Sequence, residues 1–133
     1  MAAYLKVIGS GKDPCPEPYT KPYADFSPKR PPTRIRQGDH LVLYAAGGRK
    51  CVFALAEVTS DVKPSDYGDW PHRLEIRYLV NLSPADGILA QEISTTRDLT
   101  MSVRQQTCVK LQPEEYERAK ALLEESERAA AKK

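Results

Sequence analysis

Two short apolar runs between residues 36 and 60 predict a β-hairpin at the centre of the chain. The first run, His40 to Tyr44, has the length of a strand and follows a turn signal, Gln37-Gly38-Asp39. Gly47-Gly48 is typical of a hairpin turn. The second run alternates, which predicts one face of Val52, Ala54, Ala56 and Val58 and an opposite face of Phe53, Leu55, Glu57 and Thr59. The small alanines leave room for a packed layer or for a ligand.

Three further strands are predicted on either side of the hairpin. Ala3 to Ile8 runs directly into a glycine loop, Gly9-Ser10-Gly11. Arg73 to Asn81 has the clearest alternation, and it directs Leu74, Ile76, Tyr78 and Val80 toward the core. Thr107 to Leu111 forms the last strand. Between these strands, residues 88–93 fit either a strand or one helical turn, and residues 94–102 fit a loop or a short helix.

A proline-rich loop is predicted over residues 13–33, which hold seven of the eleven prolines. Helices are disfavoured there because each proline lacks a backbone donor and restricts the residue before it. Three aromatic residues in the segment, Tyr19, Tyr23 and Phe26, indicate that it packs against the body of the protein or over a site.

A C-terminal helix is predicted over residues 113–131. Pro113 suits the first helical position, and Glu114 and Glu115 suit the positive end of the helix dipole. One narrow apolar stripe follows, made of Tyr116, Ala119, Leu122 and Leu123. The whole pattern predicts one domain of the α+β class, since 133 residues is the usual size of a single domain.

Composition limits the class of protein. Hydrophobic residues make up 41% of the chain and no stretch approaches the ~18–20 apolar residues of a membrane span, so we expect a soluble protein without a membrane partner. The three cysteines, Cys15, Cys51 and Cys108, form no Cys-x-x-Cys pair, which indicates reduced thiols and a cytoplasmic location. The net charge of +2 says little, but a local basic cluster formed by Lys29, Arg30, Arg34 and Arg36 allows nucleic-acid binding.

Catalytic and metal-binding patterns are missing from the sequence. His40 and His72 do not lie at ligand spacing from a cysteine, and neither a Gly-x-Ser-x-Gly element nor a carboxylate pair is present. We therefore expect a binding module that is not an enzyme and uses no cofactor or metal. Gly9-Ser10-Gly11 either presents amides to a phosphate or base edge or is an ordinary tight turn. Loop aromatics such as Trp70 either stack on bases or cover the rim of the core.

The order of these elements resembles the EVE domain of the PUA-like superfamily, a relative of the YTH domain. The features that carry the resemblance cover roughly residues 3–125, and no single one is decisive. They are the strand and loop from Tyr4 to Gly11, the turn and strand from Gln37 to Tyr44, the Ala-x-Ala-Glu-Val pattern from Ala54 to Val58, Trp70 ahead of Leu74 to Leu79, Val103-Arg104-Gln105-Gln106, and Pro113-Glu114-Glu115-Tyr116. The chain departs from the family at the proline-rich segment, where EVE domains have a longer helical insertion.

The resemblance implies a PUA-like mixed β pseudo-barrel with flanking helices. It also implies a pocket that accepts a modified base, for example a methylated one, flipped from DNA or presented by RNA. The base-binding candidates are Gly9, Ser10, Tyr19, Tyr23, Tyr44, Trp70, Arg104 and Gln105, and the phosphate-binding candidates are Lys29, Arg30, Arg34 and Arg36. Two alternatives stay open: a small-molecule or nucleotide-binding PUA-like module, and an accessory RNA-binding domain that acts beside a separate enzyme.

Overall fold

The computed structural model describes residues 1–10, 12, 14–26, 32, 34–47, 49–64, 72–105 and 108–131, except for the side chains of residues 104 and 105. The strands are β1 (Ala3–Ile8), β2 (Tyr23–Phe26), β3 (His40–Ala45), β4 (Cys51–Val58), β5 (Lys63–Pro64), β6 (His72–Asn81) and β7 (Cys108–Lys110). The helices are α1 (Leu99–Gln105) and α2 (Pro113–Ala131), and two short 3₁₀ helices span Pro84–Asp86 and Ala90–Ile93.

The strands form one curled sheet in the order β2-β6-β4-β3-β1-β7, with β5 paired to β6. Strands β1 and β3 are parallel, and the other neighbours are antiparallel. Although β1 and β2 lie near opposite ends of this order, Nζ of Lys6 on β1 is 4.3 Å from the ring centroid of Phe26 on β2. This contact requires the sheet to curl into a half-barrel. The predicted α+β class with a C-terminal helix is confirmed, and the finer PUA-like assignment stays a prediction.

Apolar side chains cover both faces of the sheet. We call the cluster inside the curl the cavity-side cluster; it includes Tyr4, Ile8, Tyr19, Phe26, Leu41, Leu43, Phe53, Ala54, Ala56 and Leu74. The helix-side cluster includes Leu5, Val42, Tyr44, Val52, Leu55, Val80, Leu99, Tyr116, Ala119 and Leu123. Strand β3 shows the division, because Leu41, Leu43 and Ala45 belong to the first cluster and Val42 and Tyr44 to the second.

Two β-bulges correct the predicted alternation. Leu43 pairs with Ala54 but Tyr44 pairs with Val52, so Phe53 is an extra residue on β4. Phe53 therefore joins Ala54 in the cavity-side cluster, and Val52 turns to the helix side, opposite to what strict alternation predicts. The same effect at Leu79 of β6 places Val80 in the helix-side cluster, away from Leu74 and Ile76.

The sequence predicts a loop over the whole proline-rich segment, but part of this segment is a strand. Tyr23–Phe26 form β2, whose backbone pairs with His72 to Glu75 of β6. The prolines lie outside these four residues, so the backbone donors needed for the ladder are present. Ala24 and Phe26 are buried in the cavity-side cluster, and this burial supplies the reason for the segment to pack on the body.

Helix α2 covers the helix-side face of the sheet over the range that the sequence predicts. Its buried residues include Tyr116, Ala119 and Leu123, and each fully buried large apolar side chain contributes about 1.5–3 kcal/mol. At its start, Glu115 is 1% exposed and accepts hydrogen bonds from Nε and Nη2 of Arg97 at 3.0 and 2.7 Å and from the backbone N–H of Gln112 at 2.8 Å. Burial raises the pKa of Glu115, but these hydrogen bonds outweigh it and lower the pKa.

Among the helices of the described residues, none combines the length and the apolarity needed to cross a membrane.

Candidate ligand cavity

A cavity of about 370 Å³ opens between the end of β1, the loop that follows it, and the proline-rich segment. Its lining residues are Lys6, Val7, Ile8, Gly9, Ser10, Pro14, Pro16, Tyr19, Lys21 and Asp25. Gly9, Ser10, Pro14, Pro16 and Lys21 are exposed, whereas Lys6 is 1% exposed and Tyr19 is buried. The exposed residues therefore mark the mouth of the cavity, and Lys6 lies at its deep end.

The tip of the β3–β4 hairpin holds the loop after β1 in place. The N–H of Ala46 donates to the carbonyl of Ile8 at 2.9 Å, and the N–H of Cys15 donates to the carbonyl of Ala46 at 3.1 Å. Gly47 has a φ of +95°, and a Cβ added there would lie 2.7 Å from Cβ of Pro14. Glycine is required at this position both by its backbone conformation and by the close approach of Pro14. The predicted hairpin is thus a support for the mouth of the cavity.

The alternation of side chains along β1 directs Lys6 into the interior of the protein. Tyr4, Lys6 and Ile8 share one face of β1, and both Tyr4 and Ile8 lie in the cavity-side cluster. Its ammonium is held over the Phe26 ring, an arrangement that stabilises a cation by the ring's negative face. Burial lowers the pKa of Lys6 to about 8, against smaller effects of Cys108 and Asp25 that raise it. The amine is still mostly protonated at neutral pH.

Cys108 is the cross-strand neighbour of Lys6 on β7. Burial raises the pKa of its thiol to about 11, and the nearby Lys6 lowers it by less. The thiol is therefore neutral at physiological pH and does not act as a counter-anion. Cys15, Cys51 and Cys108 are all free, as the sequence analysis expected of reduced thiols.

Asp25 places a carboxylate beside the cavity, but an arginine already binds it. Nε and Nη2 of Arg73 donate to the two carboxylate oxygens of Asp25 at 2.7 and 3.2 Å. The same guanidinium stacks on Tyr23, with its Cζ 3.5 Å from the ring centroid. This pair is only about one-fifth exposed or less, so its charges offset each other at short range.

Tyr19 forms an aromatic part of the wall. Its ring packs edge-to-face on Phe53, with centroids 6.1 Å apart, and its hydroxyl donates to the carbonyl of Tyr23 at 3.0 Å. Nδ2 of Asn81 donates to the carbonyl of Tyr19 at 3.0 Å. Burial raises the pKa of Tyr19, so its hydroxyl stays neutral. The ring is fixed by these contacts and presents a rigid surface.

The structure brings together three of the predicted base-binding residues, Gly9, Ser10 and Tyr19, which all line the cavity. It does not bring Tyr44 to them: Tyr44 lies on the opposite face of the sheet, in the helix-side cluster, because β3 alternates. Tyr23 is also not among the lining residues, and its ring packs against the guanidinium of Arg73.

The backbone of Arg104 and Gln105, two further base-binding candidates, forms the end of helix α1. Trp70, Lys29 and Arg30 lie outside the described residues, as do the side chains of Arg104 and Gln105. The remaining phosphate candidates, Arg34 and Arg36, are exposed near the start of β1, where the hydroxyl of Tyr4 donates to the carbonyl of Arg34 at 3.2 Å. They therefore lie toward the end of β1 that is opposite to Gly9 and Ser10.

Lys6, Lys21 and Asp25 are the charged residues of the cavity lining, and none of them was predicted as a site residue from the sequence. A signal for Lys6 is present: a single charge stands within the apolar run Tyr4 to Ile8, where both faces of the strand are otherwise apolar. Such a strand is covered on both sides, so its charged residue must be buried. No comparable local signal exists for Asp25, because its position depends on the pairing of β2 with β6.

Away from the cavity, His40 has a structural contact. Nδ1 of His40 and the hydroxyl of Tyr116 are 2.6 Å apart, which joins β3 to α2. Within the described residues, no three His, Cys, Asp or Glu side chains come together as a metal site would require.

Comparison with known proteins shows a likeness of fold to a solved structure. No family model and no curated protein matches the chain. Among solved structures, the chain is similar to the NMR structure of Rpa0253 from Rhodopseudomonas palustris, a structural genomics target, with a TM-score of 0.55 and 12% sequence identity. The likeness covers 93% of this chain and 94% of that chain. At this identity it shows a shared fold and nothing about the ligand.

Proposed function

We propose that this protein is a non-catalytic module that binds nucleic acid by accepting a modified base in the cavity described above, which we call the Lys6 cavity. The observation that carries the proposal is the meeting of Gly9, Ser10 and Tyr19 around one cavity of about 370 Å³. This volume falls at the lower end of the range of small-ligand pockets, roughly 300–1,000 Å³. It suits a single heterocycle with its substituent rather than a longer ligand.

The lining offers the contacts that a flipped base needs. The loop at Gly9 and Ser10 brings backbone polar groups to the mouth, where they can hydrogen-bond a base edge, and Tyr19 supplies an aromatic surface. A flipped base costs a few kcal/mol of unstacking, which such contacts must offset. Lys21 at the mouth is placed to meet a neighbouring phosphate, and contacts of that kind position the strand without reading its sequence.

A small-molecule module is the second candidate, and one observation favours it. Several described cations are already in ion pairs: Arg49 with Glu17, Lys63 with Glu75, Arg73 with Asp25, and Arg77 with Glu57. Paired cations contribute less to the field that attracts a phosphate backbone. A free nucleoside or similar heterocycle needs no such field and fits the same cavity.

Salt dependence of binding separates the two candidates. Fluorescence anisotropy with labelled single-stranded oligonucleotides, carrying unmodified, methylated or carboxylated cytosine, gives the affinity at several salt concentrations. Nucleic-acid binding predicts that log K falls linearly with log salt, with a slope of about −0.7 for each phosphate neutralised on a single strand. A flat response, together with binding of free nucleosides, would favour the small-molecule module.

The Ser10→Asp variant tests whether the cavity is the site. Ser10 is exposed at the mouth, so the added carboxylate should be tolerated by the fold and should repel a phosphate and obstruct the opening. We expect binding to weaken about tenfold or more. Thr95→Asp is the matched control, since Thr95 is also exposed but lies in the connection between the second 3₁₀ helix and α1. An equal loss in both variants would mean that only net charge matters.

A further inference from the structure

The Asp25 carboxylate is a fixed hydrogen-bond acceptor in the wall of the Lys6 cavity. Asp25 is one of the lining residues, and its side chain is 14% exposed. Arg73 donates one hydrogen bond to each carboxylate oxygen, at 2.7 and 3.2 Å, and its guanidinium stacks on Tyr23. Each carboxylate oxygen has two acceptor sites, so both oxygens keep a site for a further donor. The bidentate pair also fixes the direction of these sites.

The charge of this carboxylate acts on two other lining residues, Lys6 and Tyr19. Burial lowers the pKa of Lys6 to about 8, and the Asp25 carboxylate opposes this change. Burial raises the pKa of Tyr19, and the Asp25 carboxylate adds to the increase. Electrostatic effects of this kind fall with distance. The carboxylate therefore lies next to the space that these residues line.

The backbone of Asp25 adds a second acceptor and a donor at the same place. On β2, the carbonyl of Pro22 accepts a hydrogen bond from the N–H of Ile76 on β6 at 3.0 Å. These bonds alternate along an antiparallel strand, so the backbone groups of Tyr23 and Asp25 point away from β6. On that outer side, the carbonyl of Tyr23 accepts the hydroxyl of Tyr19 at 3.0 Å. Because Tyr19 and Asp25 both line the cavity, this edge of β2 borders it.

The polar pattern at Asp25 suits an amino group on a neutral ring. Arg73 offsets the charge of Asp25 at short range, so the wall does not require a cationic ligand. An exocyclic amino group would give the carboxylate a charge-assisted hydrogen bond, about twice as strong as a neutral one. In cytosine and adenine the neighbouring ring nitrogen is an acceptor, which matches the outward N–H of Asp25. An oxo group has only lone pairs and would oppose both acceptors of Asp25.

We propose that the Asp25 carboxylate selects heterocycles with an exocyclic amino group over those with an oxo group at the same position, an inference that rests on the proposed use of the Lys6 cavity for a base. The expected base is thus a modified cytosine or adenine rather than thymine or uracil. A flipped base is read in this way by hydrogen bonds to its pairing edge.

Two probe pairs test the proposal. The first compares a single strand of thymines that carries one central methylcytosine with the all-thymine strand, since these two bases share the methyl group and differ at the amino and oxo positions. The second compares free cytidine with free uridine, using amide NMR shifts at Gly9 and Ser10 as the readout. We expect the amino member of each pair to bind about tenfold more tightly.

Two variants of Asp25 remove the acceptor in different ways. Asp25→Ala deletes the carboxylate and should abolish the preference. Asp25→Asn keeps the size of the side chain and an acceptor for Arg73, so it should fold even where Asp25→Ala does not. It replaces one acceptor oxygen by an N–H donor, and we expect the preference to shift toward the oxo member of each pair. Thermal unfolding checks that each variant is folded at the temperature of the binding assay.

Glu57→Gln is the matched control. It neutralises another carboxylate that an arginine binds, since Nη2 of Arg77 lies 2.6 Å from Oε1 of Glu57 between β4 and β6. Glu57 lies outside the cavity lining, so this variant should keep the preference of the wild type. An equal change in Glu57→Gln and Asp25→Asn would show that net charge sets the preference, which would overturn the role of Asp25.

The outcomes separate this inference from the proposed function. An Asp25-dependent preference for cytidine, without binding of any oligonucleotide, would support the role of Asp25 and contradict nucleic-acid binding. Equal or tighter binding of the all-thymine strand would overturn the role of Asp25 and leave nucleic-acid binding intact. Failure of every probe to bind, or a preference unchanged in the Asp25 variants, would also overturn it.

Discussion

The two faces of the sheet use the same strands for different purposes. On the helix side, Leu5 and Val7 of β1 pack beneath the helices, and the buried charge Glu115 receives hydrogen bonds from Arg97 and Gln112. On the cavity side, the intervening Lys6 keeps a charge beside an opening. The sealed helix side stabilises the fold, whereas the cavity side leaves an opening that is suited to binding. Substitutions on the two faces should therefore separate stability from ligand affinity.

The largest stability loss is expected on the helix side. Leu123→Ala removes a fully buried side chain of α2 and leaves a cavity, which should cost about 2–5 kcal/mol of unfolding free energy. Chemical denaturation measures this loss. Ligand affinity, measured well below the denaturation midpoint, should stay within about twofold of the wild type. A variant that kept its stability would show that α2 is not packed as described.

The buried ion pair of the helix side gives a pH-dependent effect. Arg97→Met leaves the 1% exposed Glu115 without its cation, and we expect the free energy of unfolding to fall by about 2 kcal/mol at pH 7. The loss is smaller than for a fully buried pair because the side chain of Arg97 is 34% exposed. The folded-state pKa of Glu115 is lowered, so its stabilising effect is present above the usual pKa of 4.5 and is lost as pH falls. The difference between variant and wild type should therefore shrink below pH 4.5. A constant difference would contradict this pairing.

On the cavity side, the same kind of substitution should stabilise the protein. Lys6→Met removes a buried charge whose pKa is lowered from 10.5 to about 8, and this shift corresponds to a cost of at most about 3 kcal/mol. Below pH 8 the folded and unfolded states both hold the proton, so the full cost applies. Between pH 8 and 10.5 the folded wild type releases a proton that the unfolded chain keeps, so wild-type stability rises relative to the variant. Denaturation at pH 7 and pH 9.5 should show a larger advantage of Lys6→Met at pH 7.

Equal stability differences at the two pH values would show that Lys6 is not desolvated. The raised pKa of Cys108 lowers stability above pH 9. The informative quantity is therefore the difference in unfolding free energy between the wild type and Lys6→Met at each pH, rather than the wild-type value alone.

The smallest effect concerns the support of the cavity mouth. Gly47→Ala and Gly38→Ala place alanine at the same φ of +95°, but only the first brings Cβ within 2.7 Å of Pro14, whereas nothing lies within 4 Å of a Cβ at Gly38. Both variants should lose about 1–2 kcal/mol from backbone strain. Gly47→Ala should in addition displace the loop that carries Pro14 and weaken ligand binding. Equal affinities in the two variants would mean that this contact does not shape the site.

Local patterns in the sequence predicted most of the elements. The hairpin, the strand after His72 and the C-terminal helix follow from period, turns and capping, which depend on near neighbours. The bulges at Phe53 and Leu79 could not be predicted in this way, because they depend on which residues oppose each other across the sheet. They explain why Val52 and Val80 face the helices.

The candidate site was predicted only in part. Gly9 and Ser10 follow a strand in sequence, so their position at one end of the sheet could be inferred. Tyr44 was placed at the cavity without regard to the side that β3 would present, and the structure puts it on the helix side. To predict Lys6 as a cavity residue, one must know that both faces of β1 are covered. To predict Asp25, one must know that β2 pairs with β6.

Amide shift mapping tests the central claim, that the Lys6 cavity is the ligand site, most directly. Isotope-labelled protein would be titrated with single-stranded DNA that contains a modified base such as methylcytosine. We predict that the largest shifts occur at Lys6, Gly9, Ser10 and Lys21, around the cavity, with small shifts on α2. Shifts confined to Arg34, Arg36 and the turn before β3, with none at Gly9 and Ser10, would contradict the claim.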